Sequence, residues 1–435
     1  MRALIMDTDG DGMGVDIALR AQAAGHEVLY WLPPGAAPYG QGLLNKPPDW
    51  QPLIKGADLV ILTGNSKYTS VLEPYFAAGY PIFGTNKAAA AWELDRSVGM
   101  QVLERAGVRV PAYVPVGDLD QAIDYVRRKP QGYAIKPWGG AADKALTTVA
   151  RDANEALFAL SRWKRMGLKG QLMLQETVDG IEMGVSGWFS PAAGWLRAKE
   201  EDWEHKKLMN DDLGANTGEQ GTVLHHVSDS KLFDTVLEPL TDQLYEVGFV
   251  GDCGVNCIID GEGTPWPLEF TMRLGWPNFC IRQAVIEGDP LLWMRGLIDG
   301  QDLFTPTDQV VVGIVLSHGD YPTGHDVRGT WEGFPVEFPA DAGGNLHWQQ
   351  VKIDSVPRLL EGQVANRRML ATAGNYIAVA TGVGETLAEA RSAALALARS
   401  VRIPSNLMYR TDIGSKLQDR ELAVLHSMGY ALKVN

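Results

Sequence analysis

The sequence predicts a multidomain protein that combines α/β and α+β architecture. Its 435 residues exceed one ordinary domain and suggest roughly three. Near the start, short apolar runs alternate with helical segments, in the order RALIMD, DIALRAQAAG, HEVLYWL, DLVILTG and YPIFGT. That order predicts an N-terminal doubly wound parallel sheet. A strand-rich region beyond residue 305, closed by a helix with the capping box Thr386-x-x-Glu389, predicts a C-terminal β-rich module.

Composition narrows the classes of partner. The net charge is -14, and no block of like charges interrupts the chain, so we expect no nucleic acid and no anionic membrane as a partner. Three cysteines do not make a disulfide framework, and Cys253 and Cys257 are expected to be buried strand thiols. No apolar run approaches about 18 residues, and the first residues lack a signal-peptide pattern. We therefore expect a cytoplasmic protein.

The linkers suggest four units. An alanine-rich helix over about residues 86–106 ends at Gly107, and VRVPAYVPV follows as an extended connection. The predicted units are an N-terminal α/β domain (1–112), a lid subdomain (113–190), a core subdomain (191–305) and a C-terminal domain (306–435). Within the second unit, Leu119, Ala122, Ile123 and Val126 share one helical face. Residues 171–190 are expected to form two antiparallel strands with a turn near Gly180, as part of a second small sheet.

Two glycine-bearing loops could approach phosphates. In DGDGMG, Gly10, Gly12 and Gly14 follow the first strand, but the spacing is not G-x-G-x-x-G, and the second strand ends without an acidic residue. A tight strand-to-helix turn explains this loop equally well. In KPWGGAADKALTTV, Lys136 and Lys144 flank a small-residue loop whose backbone could meet a phosphate chain. A hairpin with ordinary surface lysines is the alternative.

Two further stretches carry charged and polar groups in suggestive patterns. In LEFTMRLG, strand alternation places Glu269, Thr271 and Arg273 on one face, where they could hold Mg²⁺ and an anionic oxygen, or form a salt-bridged exposed strand. In EHKKLMNDDLGANTGEQGTV, Lys206 precedes a long polar loop, within residues 214–221, that offers backbone N–H groups to an anion. A plain surface loop is the competing interpretation.

Taken together, the motifs resemble those of the ATP-grasp superfamily, and more closely glycinamide ribonucleotide synthetase. Eight stretches follow the family's order over nearly the whole chain: IMDTDGDGMG, YPIFGTNKAAAAWEL, YAIKPWGGAADKA, LQETVDGIE, EHKKLMNDDLGANTGEQG, PLEFTMRLGWPN, AVATGVGETLAEARSAALA and YRTDIG. The resemblance implies an ATP-grasp fold, with ATP and Mg²⁺ as cofactors. Each motif alone is weak, but eight in sequence are specific.

The resemblance also implies roles for individual residues. ATP phosphates would meet Lys136 and Lys144, the adenine would meet the backbone of Glu176 and Val178, and Glu182 would accept the ribose hydroxyls. A second group would handle the metal and the reacting substrates. It comprises Glu269, Thr271 and Asn256 for the metal, Arg273, Lys206 and Lys144 for catalysis, and Asn216, Thr217 and Gly218 as a substrate loop.

The implied reaction joins a small carboxylate and an amine. The carboxylate first accepts the γ-phosphoryl group of ATP, and the amine then displaces phosphate, leaving an amide and ADP. The protein supplies position and charge for these steps, so no covalent nucleophile is required. We expect a monomer or a homodimer.

Four departures from the family separate nucleotide chemistry from substrate choice. In place of the family's Gly-Lys-Gly, this chain has Asp143-Lys144-Ala145. Thr271 replaces a metal-binding asparagine of the family, and Asn256 could compensate for the loss of that ligand. Where the family has GGREHAL, this chain has GMGVDIAL. Where the family has RFGDPE, this chain has RLGWPN, which contains Trp276. The leading hypothesis is therefore a ligase for another substrate pair. The alternatives are a divergent phosphoribosylamine-glycine ligase of purine synthesis and a nucleotide-binding protein without catalysis.

Overall fold

A computed structural model of the chain describes residues 1–137, 147–322, 330–431 and 434. Its helices are α1 (Gly14–Ala23), α2 (Gln51–Ile54), α3 (Thr69–Ala77), α4 (Lys87–Leu94), α5 (Arg96–Arg105), α6 (Leu119–Arg128), α7 (Ala153–Arg165), α8 (Lys231–Val236), α9 (Thr241–Glu246), α10 (Asn278–Arg282), α11 (Leu292–Ile298), α12 (Leu387–Ser400) and α13 (Leu422–Ser427). Lys144 and the rest of the predicted phosphate loop, residues 138–146, lie outside the described residues.

The strands fall into three larger sheets and two hairpins. Their bounds are β1 (Arg2–Met6), β2 (Glu27–Trp31), β3 (Leu59–Leu62), β4 (Ile82–Phe83), β5 (Tyr113–Val116), β6 (Tyr133–Pro137), β7 (Thr148–Ala150), β8 (Leu172–Glu176), β9 (Gly180–Ser190), β10 (Gly194–Glu204), β11 (Lys207–Met209), β12 (Leu213–Asn216), β13 (Gly221–Val227), β14 (Gly251–Asp260), β15 (Pro265–Thr271), β16 (Val310–His318), β17 (Leu346–Trp348), β18 (Val351–Leu360), β19 (Gln363–Thr372), β20 (Tyr376–Gly384) and β21 (Leu407–Met408).

The N-terminal unit is the predicted parallel sheet, with strand order β2-β1-β3-β4. Successive side chains of β1 point to opposite faces, and both faces are buried. Ala3 and Ile5 pack in the main core with helix α1, whereas Leu4 and Met6 pack in a separate cluster with Trp50. A strand buried on both faces explains why the sequence is continuously apolar there.

The helix expected over residues 86–106 is interrupted at Asp95. This residue has extended backbone torsions, φ -116° and ψ 102°, and its carboxylate accepts a hydrogen bond from the backbone of Ser97 at 2.9 Å. Its side chain competes with the helical hydrogen-bond pattern and caps a new helix instead. The prediction of one helix was therefore wrong: α4 ends at Leu94, and α5 begins at Arg96.

A small antiparallel sheet follows, with order β5-β8-β6-β7, and helices α6 and α7 pack against it. Leu119, Ala122 and Val126 of α6 are buried there, and Ile123 is partly buried, as the helical periodicity predicted. This sheet carries Lys136 on β6 and Glu176 at the end of β8.

The expected pairing of the two strands in residues 171–190 was wrong. Strand β8 pairs with β5 and β6 in the small sheet, while β9 pairs with β10 and β14 in the large sheet. Strand β9 starts at Gly180, where the backbone of β14 passes so closely that a Cβ would lie 2.1 Å from the carbonyl oxygen of Ile259. The short link between β8 and β9 therefore crosses from one sheet to the other.

The large sheet has nine strands, in the order β15-β14-β9-β10-β13-β16-β20-β17, with β21 beside β16. Strands β16, β20 and β17, expected in a C-terminal module, extend this sheet: β16 pairs with β13, β20 pairs with β16, and β17 pairs with β20. Helix α12 packs on it and begins with the predicted capping box of Thr386 and Glu389. The division of the chain into four units remains a prediction.

The polar stretch after β10 is more ordered than the sequence indicated. Part of it forms the hairpin β11–β12, in which Lys207 is paired with Asn216. Cys253 and Cys257 are buried in β14, as expected of strand thiols. In the described ranges, no helix is both long and apolar enough to cross a membrane.

Candidate active site

Nearly all the predicted site residues that the structure describes line one cavity of about 830 Å³. Elements of the small sheet, the large sheet and the β11–β12 hairpin form its walls. The predicted residues in its lining are Lys136, Glu176, Val178, Glu182, Lys206, Asn216, Thr217, Gly218, Glu269, Thr271 and Arg273. Asn256 lines a second, adjoining cavity together with Glu269 and Thr271.

Lys136 is a buried cation in the lining of this cavity. Its side chain is 6% exposed, and Nζ donates to Oε1 of Gln175 at 2.6 Å and to the carbonyl of Leu268 at 3.4 Å. Burial lowers the pKa of Lys136 to about 8, although the charge of Glu269 acts in the opposite direction. Both hydrogen-bond acceptors are neutral, so an anion entering the cavity would stabilise the charged form of this lysine.

Arg96 is a second buried cation beside Lys136, and sequence analysis missed it. It is the first residue of α5, and its guanidinium donates to the carbonyl of Pro137 at 3.3 Å and approaches Oε2 of Glu269 at 3.5 Å. The break at Asp95 places Arg96 at the helix start, facing the cavity. No local pattern pointed to it, because its partners lie far along the chain.

A chain of polar contacts links Glu182, Lys206, Glu204 and Asn256. Nζ of Lys206 lies 2.8 Å from Oε1 of Glu182 and 3.0 Å from Oε2 of Glu204. Asn256 donates its Nδ2 to the same oxygen of Glu204 at 2.9 Å. Burial alone would lower the pKa of Lys206, but the nearby carboxylates more than offset it and hold the pKa well above its usual value. Lys206 is therefore a fixed positive charge between these acids.

Arg273 is positioned by a carboxylate from the N-terminal unit. Its Nε lies 3.2 Å from Oε1 of Glu93 in helix α4. The other oxygen of Glu93 accepts hydrogen bonds from the backbone of Met272 at 2.7 Å and from Nδ2 of Asn65 at 2.8 Å. Glu93 raises the pKa of Arg273. The sequence singled out the arginine but gave no signal for Glu93.

The residues predicted to hold a metal ion meet on neighbouring strands. Asn256 of β14 is directly opposite Glu269 of β15, and Thr271 lies on the same face of β15. Their carboxylate, amide and hydroxyl oxygens are ligands that Mg²⁺ accepts. In the described part of the chain, no group of three His, Cys, Asp or Glu residues could hold a metal ion. Mg²⁺ would therefore need oxygens from a bound phosphate chain as well, which is its usual mode of binding.

The chain is similar to known proteins in sequence and in fold. Residues 95–279 match the family model of the phosphoribosylglycinamide synthetase ATP-grasp (A) domain. A phosphoribosylamine-glycine ligase of Vibrio vulnificus is 26% identical over 369 residues, covering 81% of both chains. The corresponding ligase of Salmonella typhimurium is 26% identical over 364 residues, again covering 81% of each.

Solved structures share the fold. The phosphoribosylamine-glycine ligase of Thermotoga maritima aligns with a TM-score of 0.71 at 19% identity, covering 95% of this chain and 100% of that one. The biotin carboxylase of Campylobacter jejuni aligns with a TM-score of 0.63 at 13% identity, covering 97% and 96%.

The chain is an ATP-grasp enzyme, in the class of ATP-dependent ligases. Enzymes of this class use ATP with Mg²⁺. Within the class, this chain is similar to glycinamide ribonucleotide synthetase, the phosphoribosylamine-glycine ligase.

Proposed function

We propose that this chain is an ADP-forming carboxylate-amine ligase that acts through an acyl phosphate, with a substrate pair other than glycine and phosphoribosylamine. The observation that carries the proposal is the shared cavity. It combines buried cations that suit phosphates, Lys136 and Arg96, with the carboxylate Glu269 and with Arg273. Charged groups of both signs held in one partly enclosed space suit phosphoryl transfer, which depends on position and electrostatics.

Each part of the bound nucleotide would contact its own group of residues. Lys136 and Arg96 bind phosphate oxygens, Glu182 accepts the ribose hydroxyls, and the backbone at Glu176 and Val178 meets the adenine. Glu269, with Thr271 and Asn256, would hold Mg²⁺, which neutralises phosphate charge when bound. Lys144 would contribute a further charge from the segment outside the described residues.

The substrates would meet beside Arg273. A carboxylate oxygen attacks the γ-phosphorus, the bond to ADP breaks, and Arg273 and Lys206 stabilise the negative charge that develops. The amine then attacks the acyl carbon, phosphate leaves, and the amine nitrogen loses a proton as the amide forms. The backbone and side chains of Asn216, Thr217 and Gly218 would orient this step.

The substrate half supports a pair different from that of the relatives. The sequence resemblance places Trp276 where the family carries an acid, and the ring of Trp276 packs on Tyr376 with 4.2 Å between centroids. Both rings narrow and rigidify the wall that would meet the second substrate. The curated relatives favour a second candidate, a divergent phosphoribosylamine-glycine ligase. A cytoplasmic location and a monomeric or homodimeric state complete the proposal.

Calorimetry with a non-hydrolysable ATP analogue tests the nucleotide site. We expect Mg²⁺-dependent binding that weakens in Lys136→Ala and Glu269→Ala but not in the control Lys129→Ala, an exposed lysine after α6. An unchanged affinity in both site variants would contradict the assignment of this cavity as the nucleotide site.

Substrate choice needs a separate test. Glycine and phosphoribosylamine should give little ADP release, and the gene should not rescue a purine auxotroph that lacks the authentic ligase. Growth with matching turnover would replace the leading proposal with the second candidate.

A further inference from the structure

A second cavity of about 120 Å³ adjoins the large one and is strongly acidic. The two cavities share part of their lining, namely Glu204, Lys206, Gly218, Glu269, Thr271 and Arg273. A group bound in the small cavity would therefore lie next to the place where phosphoryl transfer is proposed. Its small volume suits one end of a substrate.

The positive charges that line the small cavity already have acidic partners. Arg282 donates to Glu200 at 2.7 Å and also bonds Asp252. Lys206 is held by Glu182 and Glu204. Arg273 is held by Glu93. Among the described residues, none of these cations forms an ion pair with Asp202 or Glu219.

Two buried carboxylates remain without a partner in the described structure. Asp202 on β10 is 3% exposed, Glu219 before β13 is 2% exposed, and one oxygen of each is fully buried with no hydrogen bond. Burial raises the pKa of both groups, and the charge of nearby Glu204 adds to the effect. A buried carboxylate without a partner is costly in its charged form, so a cation bound beside Asp202 and Glu219 would stabilise both groups.

The backbone leaves room for these acids. Gly184 of β9 pairs with Asp202, and a Cβ at that glycine would lie 2.4 Å from Oδ1 of Asp202. Any larger residue at position 184 would displace the carboxylate. The close approach keeps the Asp202 side chain in the lining of the cavity.

An aromatic side chain in the lining of the small cavity favours an organic cation over a metal ion as its ligand. The side chain of Trp276 lines the same cavity. Carboxylates combined with an indole face suit an ammonium or guanidinium group, which gains both charge pairing and cation–π attraction. A metal ion gains little from an indole wall.

The N-terminal unit adds acidic side chains near Arg273. Besides Glu93, the carboxylates of Asp11 and Asp9 raise the pKa of Arg273, so both lie near this arginine. A phosphorylated substrate would meet repulsion from these acids, whereas a cation would be attracted.

We propose that the acidic subsite, formed by Asp202, Glu219 and Trp276, binds a second, non-reacting ammonium or guanidinium group of the amine substrate. This inference rests on the proposed ligase function and names its substrate class, a small diamine or guanidino-amine. The bound nitrogen is not the nucleophile, because paired carboxylates would keep it protonated, and the attacking amine must be neutral. The nucleophilic nitrogen would extend towards Arg273.

Calorimetry on the full chain, with Mg²⁺ and a non-hydrolysable ATP analogue, tests the subsite. The cationic probes are 1,3-diaminopropane and agmatine. The matched controls are 3-amino-1-propanol, which lacks the second charge, and phosphoethanolamine, which is anionic. We expect a cationic probe to bind at least about tenfold more tightly than either control. Equal affinities, or tighter binding of phosphoethanolamine, would overturn the proposal.

Variants identify the residues responsible. Asp202→Asn and Glu219→Gln should each weaken binding of the cationic probe by about tenfold and leave binding of the nucleotide analogue unchanged. The exposed acids Asp234→Asn and Glu246→Gln serve as matched controls, and thermal denaturation checks folding. Loss of Mg²⁺-dependent nucleotide binding in the subsite variants would instead assign the pair to a metal.

Two results separate this inference from the proposed function. If the wild-type chain binds no nucleotide analogue, the ligase proposal fails. If it binds the analogue but does not prefer cations, only the acidic subsite fails. A preference for 4-aminobutyrate over 1,3-diaminopropane would place the cation on the carboxylate substrate and overturn the assignment to the amine.

Discussion

Nε of Arg273 lies 3.2 Å from Oε1 of Glu93, which joins the residue two positions after β15 to helix α4 of the N-terminal unit. The same carboxylate accepts a hydrogen bond from the backbone of Met272. Glu93 therefore fixes both the side chain of Arg273 and the backbone next to it. This contact connects the N-terminal unit to the proposed site of acyl transfer.

Glu93→Gln should lower kcat more than it changes the KM for ATP. The substitution replaces one acceptor oxygen with a donor, so either Arg273 or the backbone of Met272 loses its partner. We also expect a loss of about 1–3 kcal/mol in the free energy of unfolding. Steady-state kinetics of ADP release and urea denaturation check both effects. An unchanged kcat would exclude a positioning role for Glu93.

Arg96→Met should weaken binding of the ATP analogue by roughly tenfold or more, because it removes a buried charge beside Glu269 and Lys136. The matched control is Arg105→Met, at the exposed end of the same helix. Calorimetry compares the two variants. Equal affinities would show that Arg96 does not contribute to nucleotide binding.

The affinity for the ATP analogue should fall as pH rises through about 8. In the empty site the pKa of Lys136 is about 8, and bound phosphate favours the protonated form. Below that pH the lysine is already charged, whereas above it binding must include proton uptake, which costs up to about tenfold per pH unit.

Titrations in buffers of different ionisation enthalpy measure this proton uptake directly. Lys136→Met should bind weakly at every pH and lose the uptake assigned to this residue. A wild-type affinity that is constant from about pH 7 to 9 contradicts the prediction.

Arg282→Met should destabilise the fold by about 3–5 kcal/mol, since Glu200 and Asp252 would remain buried without their cation. Arg282→Lys should recover only part of this loss, because a lysine cannot reproduce the guanidinium contacts to Glu200, Asp252 and Ser186. Chemical denaturation measures both variants. Full stability in Arg282→Met would mean that the acids are neutralised by other means.

Local patterns in the sequence determined several elements. The alternation of apolar runs and helices gave the parallel sheet, the periodicity of residues 119–126 gave the buried face of α6, and Thr386 with Glu389 gave the start of α12. The eight motifs in order also led to the ATP-grasp class. These features can be predicted from the sequence because each depends on side-chain spacing within a few helical turns or strand residues.

Only the tertiary structure decided which strands pair and which charges meet. It separated β8 from β9, brought Arg96 to Glu269 across 173 positions of sequence, and buried Asp202 and Glu219 without a cationic partner among the described residues. Strand partners and ion pairs depend on long-range packing and on the burial it creates, since a charge counts strongly only where water is excluded. A single sequence records the spacing of residues along the chain but not these distances across the fold.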